Sequence, residues 1–130
     1  MPDDLLSGPT VDRIDQWERG FIERAAQAKA LAARTAELSA TVRAPGGLVE
    51  VTVGADGQIT RLRLDEEIRR QSASTTEQQI MAAIRAAQLD LIRQYGEVIA
   101  ETVGAESETG RAVLAGLAER LRANEDEASS

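Results

Sequence analysis

Two changes of period along the chain predict an α+β fold: a long N-terminal helix, a three-stranded antiparallel meander, a long second helix and a short C-terminal helix. Apolar or small residues first recur at three- and four-residue spacing, at Ile14, Trp17, Phe21, Ala28, Leu31, Thr35 and Leu38. They then alternate one by one through Ala40–Leu64, and return to helical spacing from Ile80 onward.

The first helix is expected to start at Thr10 as N-cap, with Asp12 in the first turn where the helix dipole favours an anion. No proline interrupts the next thirty residues. Such a helix runs some 40 Å, at about 1.5 Å per residue, and outreaches three short strands. Its heptad seam therefore has two readings, a surface for a partner helix or a core stripe on the chain's own sheet.

In the first strand Ala40, Val42 and Ala44 face one way and Thr41 and Arg43 the other, and Pro45-Gly46-Gly47 makes the turn. Val49, Val51 and Val53 alternate with Glu50 and Thr52 in the second strand, before the hairpin turn Gly54-Ala55-Asp56-Gly57. The third strand is read with Ile59, Arg61 and Arg63 on one side and Thr60, Leu62 and Leu64 on the other. A polar loop over 65–74 leads to a second helix. Its start carries capping-box spacings from Ser74, and its stripe is Ile80, Ile84, Ala87, Leu91, Tyr95, Val98 and Thr102. Gly104 ends it, and Ser107 or Thr109 caps a last helix with Val113, Leu114, Leu117 and Leu121. The division expected is a flexible leader over 1–10, the helix-sheet-helix domain over 11–104, a helical extension over 105–124 and an acidic, disordered tail over 125–130.

Composition argues for a second copy. Apolar residues make up 42% of 130, but alanine supplies much of that share, and the only aromatic residues are Trp17, Phe21 and Tyr95. A large side chain contributes roughly 1.5–3 kcal/mol on full burial and alanine far less, so a monomer would have a thin core. An intertwined or sheet-mediated homodimer is expected, with Ile14, Leu31, Leu38, Val49, Val51, Val53, Leu62, Leu64, Ile84 and Leu91 as dimer or core positions.

The chain has no cysteine and no histidine, which removes disulfides, Cys/His zinc sites and the commonest general base. Carboxylate groups such as Asp65-Glu66-Glu67 sit beside no nucleophile, and the paired glycines join strand to strand, where a phosphate loop would join strand to helix. No catalytic residue, metal, cofactor or small-molecule substrate is expected. Without a basic n-region, an apolar h-region or a stretch of ~20 apolar residues, the expected compartment is the cytosol.

Net charge is −7, and 14 of the 15 basic residues are arginine, Lys29 being the exception. Binding a polyanion therefore requires a local patch. Arg43, Arg61 and Arg63 fall on the polar sheet face or its edge, Arg69 and Arg70 follow, and with Arg85 and Arg93 they suggest a basic strip suited to phosphates. The alternative is a solvated face on which Glu50 pairs with Arg61 or Arg43.

Gly47-Leu48-Val49-Glu50-Val51-Thr52-Val53, then Gly57, Ile59 and Arg61-Leu62-Arg63-Leu64-Asp65, then Ala82-Ala83-Ile84-x-x-Ala87 resemble the YbaB/EbfC family of small bacterial nucleoid-associated proteins. The resemblance implies a protomer dimerising through its sheet region with the long helices projecting as arms. It also implies DNA binding with little base specificity, in the nucleoid, and carries over Arg61 and Arg63 as contacts; Arg43 joins them from the strand pattern. Family members usually have Lys or Arg where Glu50 stands, and a first helix richer in Lys and Gln. The Ala/Arg-rich, Lys-poor composition resembles divergent actinobacterial members, some associated with type VII (ESX) secretion loci. A second function is therefore expected beside the first: a protein-interaction adaptor or chaperone linked to that secretion, gripping a partner helix around Trp17 and Phe21.

Overall fold

The computed structural model describes residues 9–129, with side-chain surroundings for 11–126. Apart from Pro9 and Thr10, the expected leader lies outside these residues. Helix α1 spans Pro9–Ala36, strands β1, β2 and β3 span Ala40–Arg43, Val49–Val53 and Ile59–Leu64, a 3-10 turn spans Glu66–Arg70, and helices α2 and α3 span Ala73–Thr102 and Glu108–Ser129. The α+β order is the one the periodicity predicts.

The seam of α1 divides in two. Leu31 is fully buried and Thr35 nearly so, where α1 crosses α2 at Val98 and Ile99. The Thr35 hydroxyl satisfies itself by donating to the Leu31 carbonyl at 3.0 Å, and Arg34 pairs with Glu101 at 2.7 Å. N-terminal to this crossing, every side chain from Val11 to Gln27 is exposed. The C-terminal part of the seam is thus core, and the rest is a projecting arm.

The sheet is a meander in the order β1-β2-β3 with both pairings antiparallel. Gly46 and Gly47, at φ +90° and +76°, supply the left-handed backbone of the first turn at no steric cost. In the third strand the register departs from simple alternation. Thr52 pairs with Arg61 but Val53 pairs with Ile59, so Thr60 is an extra residue, a β-bulge. The bulge moves Ile59 off the arginine side, where the sequence pattern had put it. It joins Leu62 and Leu64 opposite Val53, Val51 and Val49 on the apolar face. Thr60 uses its hydroxyl on the Thr52 carbonyl, at 3.4 Å.

Helix α2 covers that face, but not all of it. Ala83, Ala87, Leu91 and Tyr95 are buried against Val49, Val51 and Val53, each 0% exposed. The helix lies over β1 and β2 and barely reaches β3, whose six residues are all exposed. Its N-cap is Ser72, not Ser74: the Ser72 hydroxyl accepts from the Thr75 amide at 3.1 Å. The preceding segment is ordered into the 3-10 turn by Asp65, whose carboxylate accepts from the Glu67 amide at 2.9 Å. At the other end of the core, the Tyr95 hydroxyl reaches across to the Ala55 carbonyl at 2.6 Å.

Ser107 opens α3 by accepting from the Gly110 amide at 3.0 Å. The helix runs on past Asn124 through Ser129. Leu117 and Leu121 enter the same core as the valines of β2, and Asn124 donates to the Asp56 carbonyl at 3.4 Å. Leu121 lies so close to Gly57, at φ +82°, that a Cβ there would overlap its side chain.

Two separable costs follow for Gly57→Ala: a left-handed backbone strain of about 1 kcal/mol and an overpacking cost of about 1–3 kcal/mol. Urea unfolding should show a loss of roughly 2–4 kcal/mol. In a Leu121→Ala background the same change should cost only the backbone part.

Candidate functional site

The two faces of the sheet have different neighbours. The apolar face carries α2. Thr41, Arg43, Glu50, Thr52, Arg61 and Arg63 make the opposite face, where Arg43, Arg61 and Arg63 are exposed. Antiparallel register brings these residues together: Glu50 on the central strand faces Arg43 on one side and Arg63 on the other, while Thr52 faces Thr41 and Arg61.

Charge pairing then separates the arginines. Arg43 donates to Glu50 at 3.1 Å, so its charge is half spent at home. Among the described residues neither the Arg61 nor the Arg63 side chain has an ion pair or hydrogen bond. They alternate on one strand, so their side chains leave the same face about 6–7 Å apart. Glu50 is the cross-strand counter-charge, and its neighbour on β3 is Arg63, not Arg61. The three positive charges against one negative leave a local surplus in a chain of net charge −7.

The longer basic strip drawn from the sequence does not form. Arg85 and Arg93 belong to α2, in the layer behind the apolar face, and Arg69 is paired with Glu66 at 3.2 Å. Trp17 and Phe21 stand on the arm of α1, 65% and 56% exposed, their rings stacked with centroids 5.8 Å apart. Ile14 is exposed on the same arm. Of the other core or dimer candidates, Leu31, Val49, Val51, Val53 and Leu91 are fully buried, and Leu38 and Ile84 are partly buried.

Leu62 and Leu64 are each 44% exposed and Ile59 48%, forming an uncovered apolar strip on β3. A shallow cleft lined by Ile68, Ile80 and Met81 opens between the 3-10 turn and the first turns of α2. Ile59 and this cleft were missed by sequence reasoning. The one signal for Ile59 was its presence as an apolar residue in a row of arginines. Among the described residues no group of three or more carboxylates is placed to hold a metal ion, and no helix is long and apolar enough to cross a membrane.

A family model described as the YbaB/EbfC DNA-binding family matches residues 20–106. No curated protein and no solved structure matches the chain. The matched span takes in most of α1, the whole sheet and α2, and ends before α3.

Within that span the second of the two α2 arginines, Arg93, is held by its own helix. Arg93 donates to Asp90 at 2.8 Å and to Glu97 at 2.6 Å. Gln94 also donates to Asp90, at 2.9 Å. The hydrogen bonds from Arg93 and then Gln94 hold the Asp90 carboxyl below the usual carboxylate value, against a smaller opposing effect of burial. Because the folded-state value is depressed, the pairing is fully present above the ordinary carboxylate pKa and is lost as pH falls through the folded value. In a carboxyl-detected NMR titration, Asp90 should titrate at lower pH than an unpaired aspartate, and Arg93→Ala should raise its midpoint.

Proposed function

Because the chain belongs to the YbaB/EbfC DNA-binding family, we propose that it binds duplex DNA as a homodimer of low sequence specificity and acts in the nucleoid. The observation that carries the reading is the pair of unpaired, exposed guanidinium groups of Arg61 and Arg63 on the open sheet face. Each contacts backbone phosphates, and Arg43, steered by Glu50, contributes beside them. Guanidinium groups that grip phosphates carry no base information of their own, hence the low specificity. The overall negative charge keeps the rest of the surface off the polyanion and confines binding to this face.

The dimer is supported by the uncovered strip of Ile59, Leu62 and Leu64. Soluble chains rarely leave a strand edge and an adjoining apolar face both open. A second copy meeting β3 along this strip extends the core across the dyad. It also doubles the arginine pairs, since both open faces then belong to one particle.

The arm of α1 favours a second reading, an adaptor or chaperone role linked to type VII (ESX) secretion, in which Trp17 and Phe21 grip a partner helix.

DNA affinity should fall steeply with salt, with a log–log slope of about −0.9 per phosphate neutralised. In a dimer, Arg61→Ala removes two contacts and should reduce the slope by about 2, with Arg63→Ala behaving alike. Fluorescence anisotropy on a short duplex measures both. Absence of binding at about 50 mM salt, or a slope indifferent to both substitutions, would contradict the proposal.

A further inference from the structure

From the stacked aromatic arm and its unpaired charges, we infer that the α1 arms join one dimer to the next, each arm pairing in parallel with an arm of another copy. The inference rests on the β3-mediated dimer proposed above.

The arm has a seam and matching flanks. Ile14, Trp17 and Phe21 occupy successive seam positions at 53%, 65% and 56% exposure, some distance from the crossing at Leu31. In the heptad they define, with Ile14 and Phe21 at a and Trp17 at d, Arg13 falls at g and Glu18 at the following e. Those are the two positions that meet across a parallel two-helix seam. Two identical arms in register therefore place Arg13 of each against Glu18 of the other. Among the described residues neither Arg13 nor Glu18 has an ion pair of its own. An antiparallel seam centred on Trp17 and Phe21 would set Glu18 against the second copy's Glu18, so charge selects the parallel arrangement.

The seam closes at its lower end. Arg24 takes the next d position, and its guanidinium lies back toward Gly20, 3.4 Å from where a Cβ would stand. Pairing is thus confined to the tip of the arm.

The partner arm must come from another dimer. α1 leads into β1, and β1 is the sheet edge opposite β3. If two copies join along β3, their β1 strands lie five strand spacings apart, about 24 Å. Packed helices need axes 8–10 Å apart, and only about 15 Å of helix separates Leu31 from Phe21. Two straight arms of one dimer converging over that length would cross too steeply for a seam, whose helices run about 20° apart. Arms of neighbouring dimers have no such constraint.

The contact is small. Four aromatic rings of about 150–250 Å² each with two isoleucines place it at the weak end of specific interfaces. Association of dimers should therefore depend strongly on concentration.

Sedimentation velocity on the full chain tests this, with charge reversals as the diagnostic. The wild type should pass from dimer to tetramer and larger species as concentration rises, and Trp17→Asp with Phe21→Asp should hold it at the dimer. Arg13→Glu alone, or Glu18→Arg alone, should weaken association of dimers about tenfold, since each brings like charges together at two sites. The double reversal R13E/E18R should restore it. These four results support arm pairing. A chain that stays dimeric at every concentration overturns it and leaves the β3 dimer standing. A double reversal as weak as the singles also overturns it, as would be seen if the arm were built for a different protein with fixed charges. A self-association that Trp17→Asp with Phe21→Asp abolishes and Leu62→Asp leaves untouched overturns the β3 dimer, and with it the joining of one dimer to the next.

Discussion

A helix about 10 Å across, laid on strands about 4.8 Å apart, covers two of them and not three. In this protein that simple ratio governs the rest. α2 packs on β2 through Ala83, Ala87, Leu91 and Tyr95, against three valines with no remaining exposure. The alanines let it sit close, which makes the contact tight and also narrow. β1 falls under the helix and β3 does not. The strand left over has apolar residues on the helix side and unpaired arginines on the other. That packing interaction thus leaves open the surface suited to a second copy, while the surface suited to phosphate lies on the opposite, helix-free face of the same strand.

The helix added beyond the family match uses the same core from the other end. Leu117 and Leu121 of α3 close the hairpin end of the apolar face, with Gly57 bare to admit them. The bulge at Thr60 acts in the same region. Without it, Ile59 would stand among the arginines, and the apolar strip would stop at Leu62. Local irregularity therefore sharpens the separation of the two faces of β3.

Much of this was legible in the sequence. The valines of β2 at every second position fix the inner face, and the 3–4 spacing from Ile80 marks the helix that covers it. The turn glycines place the hairpins. What stayed hidden depends on relations between segments. A bulge is a property of two strands, and nothing in the single string Ile59-Thr60-Arg61 announces it. The seam of α1 has one uniform period, but where it ceases to be core depends on where α2 crosses it, at Leu31. The arginines of α2 carry the same letters as those of β3. Only the layer order, and the pairing of Arg93 with Asp90 and Glu97, separates them. The candidate site was legible as residue types and became a surface only with register.

In the proposed DNA complex, phosphate is met by the open face of β3 and not by the helices. Arginine side-chain NMR on the full chain, titrated with a short duplex, tests it most directly by following the Nε–H resonance of each arginine. Arg61 and Arg63 should shift first and furthest, Arg43 less because Glu50 holds it, and Arg93 hardly at all. Shifts concentrated on Arg13, Arg19 and Arg24 of the arm, with Arg61 and Arg63 unmoved, would contradict it.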